Sequence, residues 1–304
     1  MNGLLLLVTG FLAAAVRVAT PLLLAATGEL VAERAGVINL GIEGMMLTGA
    51  LAAALGASAA GPWTGLVCAV LAGMLVAGLF AAVAIGARAD QIITGAAVSL
   101  GAIGITGTVY RQAYGSAGAG LALPTLSSVA VPELSGLPVI GPMLFNQPPP
   151  TYLALLALPL VWWLLFRTRV GLGLRATGES GEMARAAGVR VRLVRTAATV
   201  VGGGFAGLGG ATLVLAQVGT FAEKMTAGRG YVAIAIVVLG RWHPAGVAVA
   251  ALLFGGATAL QFVFQSLGLD VPYQLFLMLP YILTLMALAG LVGRVRAPAD
   301  LGRS

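Results

Sequence analysis

Charge is what this sequence has least of. Only 9% of its 304 residues are Asp, Glu, Lys or Arg, against about a quarter in a soluble globular chain. So few charges cannot coat a water-soluble particle of this size, and lipid must be the solvent for most of the chain. A single cysteine, Cys68, excludes an internal disulfide framework and any multi-cysteine metal site. The one histidine, His243, has no second His or Cys beside it, so no metal site is assigned and His243 reads as an interfacial polar residue. The only lysine is Lys224, and no G-x-x-x-x-G-K-[ST] occurs, so the chain has no phosphate-cradling loop of its own. No nucleophile–base constellation is found, and no residue is assigned a catalytic role.

What is present points the same way. The chain is 59% hydrophobic with a mean hydropathy of +1.00 and 44 glycines. Small residues let membrane helices approach closely, since lipid gives no hydrophobic drive for their association. The net charge of +7 could suit nucleic acid, but seven of the 17 basic residues fall between Arg167 and Arg195. That concentration is the signature of one cytoplasmic loop, and nucleic acid is not expected as a partner. The first apolar run carries no basic residue before it, which argues for a retained membrane segment over a cleaved signal peptide.

Segments near the length of a spanning helix, about 20 residues, are Leu4–Gly28, Gly36–Ala57, Trp63–Ala87, Ile92–Ala113, Tyr152–Phe166, Thr196–Gln217, Ala245–Leu267 and Gln274–Gly293. Tyr231–Gly240 is apolar but short. The expectation is an all-α, polytopic bundle of eight to ten membrane segments, nine preferred, forming one transmembrane domain over residues 1–304. The Arg-rich loop at about 167–195, Arg88 and the tail with Arg294, Arg296 and Arg303 should share the cytoplasmic side. The proline-rich linker at about 114–150, whose one acidic residue is Glu133, should be external. This pattern closes if Tyr231–Gly240 crosses or nearly crosses, leaving the N-terminus external. No internal repeat or soluble domain boundary stands out.

Three stretches invite a functional reading. Gly202-Gly203-Gly204-Phe205-Ala206-Gly207 matches G-x-G-x-x-G, but it lies inside an apolar run without the strand that a dinucleotide site requires. Gly203 and Gly207 read instead as a small-xxx-small packing face. In the Arg-rich loop, Glu179 to Gly188 reads as one short helix: acidic residues in its first turn suit the helix dipole, Arg185 follows Glu182 by three, and Gly188 supplies a stop. Met183 and Ala187 would share a small apolar face, which a solvated loop does not need and a knob entering a partner's groove does. Finally, Glu43 lies within an apolar segment, where an ionised carboxylate must be paired or wet. The glycines at 36, 41 and 44 would permit a broken helix around it. Glu43 therefore either lines a substrate path or forms a structural pair with Arg17; Arg17 and Gln261 raise the same question more weakly.

At these residues the sequence resembles a known family. The run from Glu33-Arg34-Ala35-Gly36 through Asn39-Leu40-Gly41-Ile42-Glu43-Gly44 is similar to the opening motif of nucleoside-type ABC importer permeases, within the ribose and branched-chain amino-acid permease superfamily. Arg88-Ala89-Asp90-Gln91-Ile92-Ile93-Thr94-Gly95 resembles a second motif, and Gly173 to Val189 its cytoplasmic coupling segment. Gly228-Arg229-Gly230-Tyr231 onward to Arg241-Trp242-His243-Pro244 resembles the late signature.

The resemblance implies a permease subunit of the bacterial cytoplasmic (inner) membrane that moves a small polar solute inward by alternating access. Nucleosides are the first expectation and sugars the alternative. It implies an ABC ATPase subunit that binds the ATP, a second and different permease chain, and an external substrate-binding protein, with no cofactor on this chain and lipid around it. Arg175, Glu179, Glu182, Met183, Arg185, Ala187 and Gly188 would couple to the ATPase, and Asn39, Glu43 and Gln91 would lie near the translocation path. Rivals of other classes are an ATP-independent secondary transporter using Glu43, a channel, and an intramembrane enzyme, the last poorly served by one His and one Cys.

Overall fold

A computed structural model describes residues 3–115, 122–266, 278, 282 and 297–303. Helix α1 (Gly3–Arg34) is followed by a non-helical stretch at 35–41, then α2 (Ile42–Ala60), α3 (Pro62–Ala81) with a π-helical extension Ala82–Gly86, and α4 (Gln91–Tyr114). The linker holds β1 (Val129–Ala130), the single turn α5 (Ile140–Leu144) and β2 (Asn146–Gln147). The two strands pair antiparallel, Val129 opposite Gln147. Then come α6 (Pro149–Arg167), α7 (Arg169–Glu179), α8 (Gly181–Ala186), α9 (Val191–Thr212) with a π-helical extension Leu213–Val218, α10 (Arg229–Leu239) and α11 (Pro244–Ser266).

Among the described residues seven helices are long and apolar enough to cross a bilayer: α1, α2, α3 with its extension, α4, α6, α9 with its extension, and α11. The spans of α2 and α9 are 72% and 78% buried within the chain, and those of the other five 28–39%. The first two therefore form the centre and the rest ring it. The centre is built on glycine. A Cβ on Gly207 would run into the Ala69 carbonyl, one on Gly203 into Ala77 and Gly73, and one on Gly210 into the Met46 carbonyl. So Gly203 and Gly207 do form the close-packing face expected of them, and the dinucleotide reading falls away.

The preferred count of nine crossings is not established. Helix α10 has 11 residues, about 16 Å of rise against about 30 Å of hydrocarbon. The Gln274–Gly293 segment lies, but for Met278 and Ile282, outside the described residues. Yet the stretch from Gly219 to His243 does run between the two ends of the bundle. At one end Leu123 of the linker donates its amide to the Gly219 carbonyl (3.0 Å), and Arg111 at the close of α4 pairs with Glu223 (2.8 Å). At the other end Arg34 Nε donates to the Trp242 carbonyl (2.7 Å). A non-helical stretch, 219–228, followed by half a helix thus covers the distance that the other segments cover as whole helices.

The two ends differ in chemistry. The first is bound by the linker: Gln147, fully buried, donates Nε2 to the carbonyls of Ala13, Pro142 and Met143, and its Oε1 accepts from Arg17 Nε. The second is basic. Arg88, Arg185, Arg190 and Arg192 line one depression, and Arg34 and Arg175 both lie over the Phe166 ring.

Candidate functional site

The candidate site is built where two helices begin in mid-bundle. The stretch 35–41 turns at Gly36 (φ +90°) and is held by side chains from α1 and α4. Gln91 Oε1 accepts from the Ile38 amide (2.8 Å), Glu29 Oε1 from the Asn39 amide (3.0 Å), and Ser99 Oγ donates to the Leu40 carbonyl (3.0 Å). Asn39 Oδ1 in turn accepts from the Gly41 amide (3.1 Å), opening α2. Backbone outside a regular helix is tolerated at membrane depth only when its polar groups are answered in this way.

Glu43, in the first turn of α2 and 6% exposed, reaches across to the start of α10. Its Oε1 accepts from Thr226 Oγ1 (2.6 Å) and the Gly228 amide (2.8 Å), and its Oε2 accepts from the Gly230 amide (2.7 Å). A carboxylate among the free amides of a helix N-terminus also meets the positive end of the helix dipole. Of the two sequence readings of Glu43, this removes the pair with Arg17. That side chain lies at the linker end, bonded to Gln147, while its carbonyl accepts from Gln217. Charge could be found by scanning the sequence, but the donors to Glu43 are one hydroxyl and two backbone amides more than 180 residues on, and no composition signal marks them.

Two further carboxylates carry no role in the sequence reading. The apolar segment read from sequence ends at Gly28; the helix continues to Arg34, with Glu29 and Glu33 each 1% exposed. Glu33 Oε2 accepts from the Trp242 indole, and its buried Oε1 has no partner among the described residues. Their i, i+4 spacing at the end of an apolar run was the available signal. The turn that Glu33 holds is strained, with Arg241 and Trp242 both at positive φ (54° and 52°).

Of the residues expected near the translocation path, Asn39 and Gln91 meet at the 35–41 stretch, and Glu43 lies at the junction of α2 with α10. All three are buried and engaged with backbone. Gln91 also lines a cavity of about 230 Å³ toward the basic end.

The segment expected to couple to an ATPase is two helices, not one. Glu179 ends α7, and Ser180, extended at φ −158°, caps α8 by accepting the Met183 amide on its hydroxyl (3.3 Å). Serine prefers this cap role to a helix interior, which a single-helix reading overlooked. Glu179, Glu182, Arg185 and Ala187 are exposed, Met183 is 76% exposed, and Gly188 makes the stop at φ +85°. Arg175 is half-buried over Phe166, 5.0 Å from the ring centre.

The C-terminal stretch 297–303, read from sequence only as a basic tail, binds this segment to the 35–41 stretch. Asp300 Oδ2 accepts from the Gly181 amide (2.7 Å), the Asp300 amide donates to the Gly178 carbonyl (2.8 Å), and the Gly302 amide donates to the Gly36 carbonyl (3.1 Å). Arg195, 7% exposed, donates Nε to the Ala35 carbonyl and Nη1 to the Arg303 carbonyl, with Nη2 3.7 Å from Asp300.

A multi-pass helical protein, with helices broken at a buried carboxylate and an exposed helical knob at one basic end, is thereby defined. The chain belongs to the family described as the branched-chain amino acid transport system permease component, which matches residues 11–288. It is 37% identical over 294 residues to the guanosine ABC transporter permease protein NupQ of Bacillus subtilis, covering 93% of this chain and 92% of that protein. It is 41% identical over 265 residues to the putative glucose ABC transporter permease protein TsgC13 of Haloferax volcanii, covering 86% and 79%. Identity to the nucleoside ABC transporter permease protein NupC of Lactococcus lactis is 34% over 289 residues, covering 92% and 91%. No solved structure matches the chain. Family and helices together make it a multi-pass ABC permease of the bacterial inner membrane.

Proposed function

We propose that this chain is one of two unlike permease subunits of an ABC importer, that its solute is a nucleoside, and that ATP is hydrolysed by a separate chain docked on Glu179–Gly188. An external substrate-binding protein would deliver the solute. The carrying observation is the physical link from Met183 and Ala187, exposed on and beside α8, through Gly178, Gly181, Asp300 and Arg195 to the Ala35–Gly36 backbone. A partner that moves α8 thereby moves the stretch that positions Asn39, Gln91 and the start of α2.

The basic end is cytoplasmic on this reading, because arginine-rich loops stay inside, and the proline-rich linker is external. Asn39, Glu43 and Gln91 set the shape of the translocation path by fixing where α2 and α10 begin, in the manner of half-helices that meet near the middle of a transporter. Arg175, Glu179, Glu182, Met183, Arg185, Ala187 and Gly188 carry the contact with the ATPase. No cofactor is held on this chain; the nucleotide stays with its partner.

The names of NupQ and NupC support a nucleoside. TsgC13, the most identical of the three, supports glucose as the second reading. The test is ATP-driven uptake in proteoliposomes holding the whole transporter and its binding protein. Guanosine accumulation that glucose does not compete supports the first reading, glucose accumulation the second, and accumulation that persists without hydrolysable ATP removes both.

A further inference from the structure

Helix α10 sits between two strained turns. Seven residues other than glycine have positive φ among the described residues, and four of them flank α10: Lys224 (57°) and Ala227 (47°) before it, Arg241 (54°) and Trp242 (52°) after it. A residue with a side chain adopts this backbone at a cost in free energy, and keeps it only where its surroundings over-determine it. Hinges are made of such element-terminal residues, which absorb the φ/ψ change when a helix moves as a body.

Two buried acidic residues hold the ends. At the start, Glu43 accepts from Thr226, Gly228 and Gly230. At the close, Trp242, 4% exposed, is gripped at two points by the residues that end α1. Glu33 Oε2 accepts from its indole N–H, and Arg34 Nε donates to its carbonyl (2.7 Å). Glu33 and Glu43 stand on either side of the 35–41 stretch, so α10 bridges that stretch from one carboxyl group to the other. Along its length α10 buries one face, with Gly230, Ala233, Ile236 and Val237, and leaves Tyr231 exposed.

The closing turn also reaches the segment expected to dock the ATPase. Arg34 lies 5.9 Å from the centre of the Phe166 ring, Arg175 of α7 lies 5.0 Å from it, and the His243 ring 5.4 Å. The ends of α1 and α6, helix α7 and the 240–243 turn therefore meet on one aromatic ring. This junction is separate from the one through Asp300 and Arg195, which ends on the Ala35–Gly36 backbone.

We propose that Glu33 and Arg34 are positioning residues for transport: they grip Trp242 so that α10 is held under strain and passes movement of α7 to Glu43. The inference rests on the reading of α7 and α8 as the ATPase contact. When α7 shifts, the junction on Phe166 carries Arg34 with it and the grip on Trp242 changes. The turns at both ends then relax together, and α10 moves as a body, drawing the first turn of α2 along through Glu43.

The experiment uses the assembled transporter with its binding protein in proteoliposomes. Lys224→Gly/Ala227→Gly frees the leading turn of strain; both residues are exposed, and glycine takes positive φ without steric cost. The expected result is a split: Tm rises while ATP-driven uptake falls about fivefold or more, because this conformation gains on its alternative. A Tm that does not rise, or uptake that is unchanged, contradicts the proposal. Glu33→Gln keeps an oxygen for the indole and should retain uptake, whereas Glu33→Leu should lose uptake with ATP hydrolysis persisting. Equal uptake in these two variants contradicts it as well. The movement itself is read with both positioning residues intact, by electron–electron resonance between spin labels at Tyr231→Cys and Leu71→Cys, two exposed positions, in a Cys68→Ala background. The label distance should differ between the nucleotide-free and the vanadate-trapped transporter. An unchanged distance in a transporter that takes up solute with ATP overturns this inference and leaves the ATPase reading standing. Uptake indifferent to ATP removes that reading, and this inference with it.

Discussion

The Glu43 carboxylate accepts the Gly230 amide at 2.7 Å, tying the first turn of α2 to the first turn of α10. The contact is close because residue 230 is glycine: a Cβ there would stand 2.5 Å from the Glu43 backbone. With Thr226 and Gly228 as further donors, Glu43 is a structural cap as much as a candidate lining of the path. Glu43→Gln keeps the size but turns an N–H2 toward at least one donor. The expected loss is about 2–3 kcal/mol, read as a lower Tm in detergent together with reduced uptake. Unchanged Tm and uptake would show that neither the charge nor the cap matters.

Met183 is exposed and remote from the core, so Met183→Asp should change stability by no more than about 0.5 kcal/mol. If α8 enters a groove of the ATPase, a buried charge there should abolish solute uptake while the permease reaches the membrane in normal amount. Quantitative blotting beside an uptake assay reads both. Full uptake would remove α8 from the interface.

Asp300 answers the Gly181 amide and stands beside Arg195. Asp300→Ala should cost about 1 kcal/mol as a lost helix cap and free the tail. Amide exchange across Gly178–Met183 should then quicken, with ATP hydrolysis persisting while uptake falls. Unaltered exchange would mean that the tail is not a strut.

Glycines on one bundle are not equivalent. Gly210→Val sets side-chain atoms against the Met46 carbonyl, and overpacking costs about 1–3 kcal/mol or more, so aggregation on size exclusion is expected. Gly101 and Gly104 have nothing within 4 Å of a new Cβ. Alanine there should be neutral or stabilising by about 0.5–1 kcal/mol. Equal behaviour of the three variants would contradict the packing account.

The parts of this architecture legible in sequence are those set by local composition. Apolar length marked the long spans, the arginines at 167–195 marked one end, and the Gly203/Gly207 spacing marked a packing face. The parts that were not legible depend on contacts far along the chain. Glu29 and Glu33 looked like the end of a membrane segment because their partners, Asn39 and Trp242, become neighbours only after folding. One of two sequence readings pairs Glu43 with Arg17, whereas its carboxylate is met by the Thr226 hydroxyl and by amides freed where α10 starts. The break at Ser180 is marked in sequence only by the cap preference of one serine, which a pattern read over ten residues passes over. Tyr231–Gly240 counts as a crossing in sequence because the basic segments on either side of it require one; the non-helical stretch 219–228 that completes the distance carries no apolar period by which to find it.

The most direct test of the account is to isolate this chain in mild detergent from its native membrane and identify by mass what comes with it. An ABC ATPase and a second, different permease in fixed stoichiometry are the predicted result. Recovery of the chain alone or as a homo-oligomer, under conditions that preserve other ABC complexes, would contradict it and make Glu43 the starting point for an ATP-independent transporter.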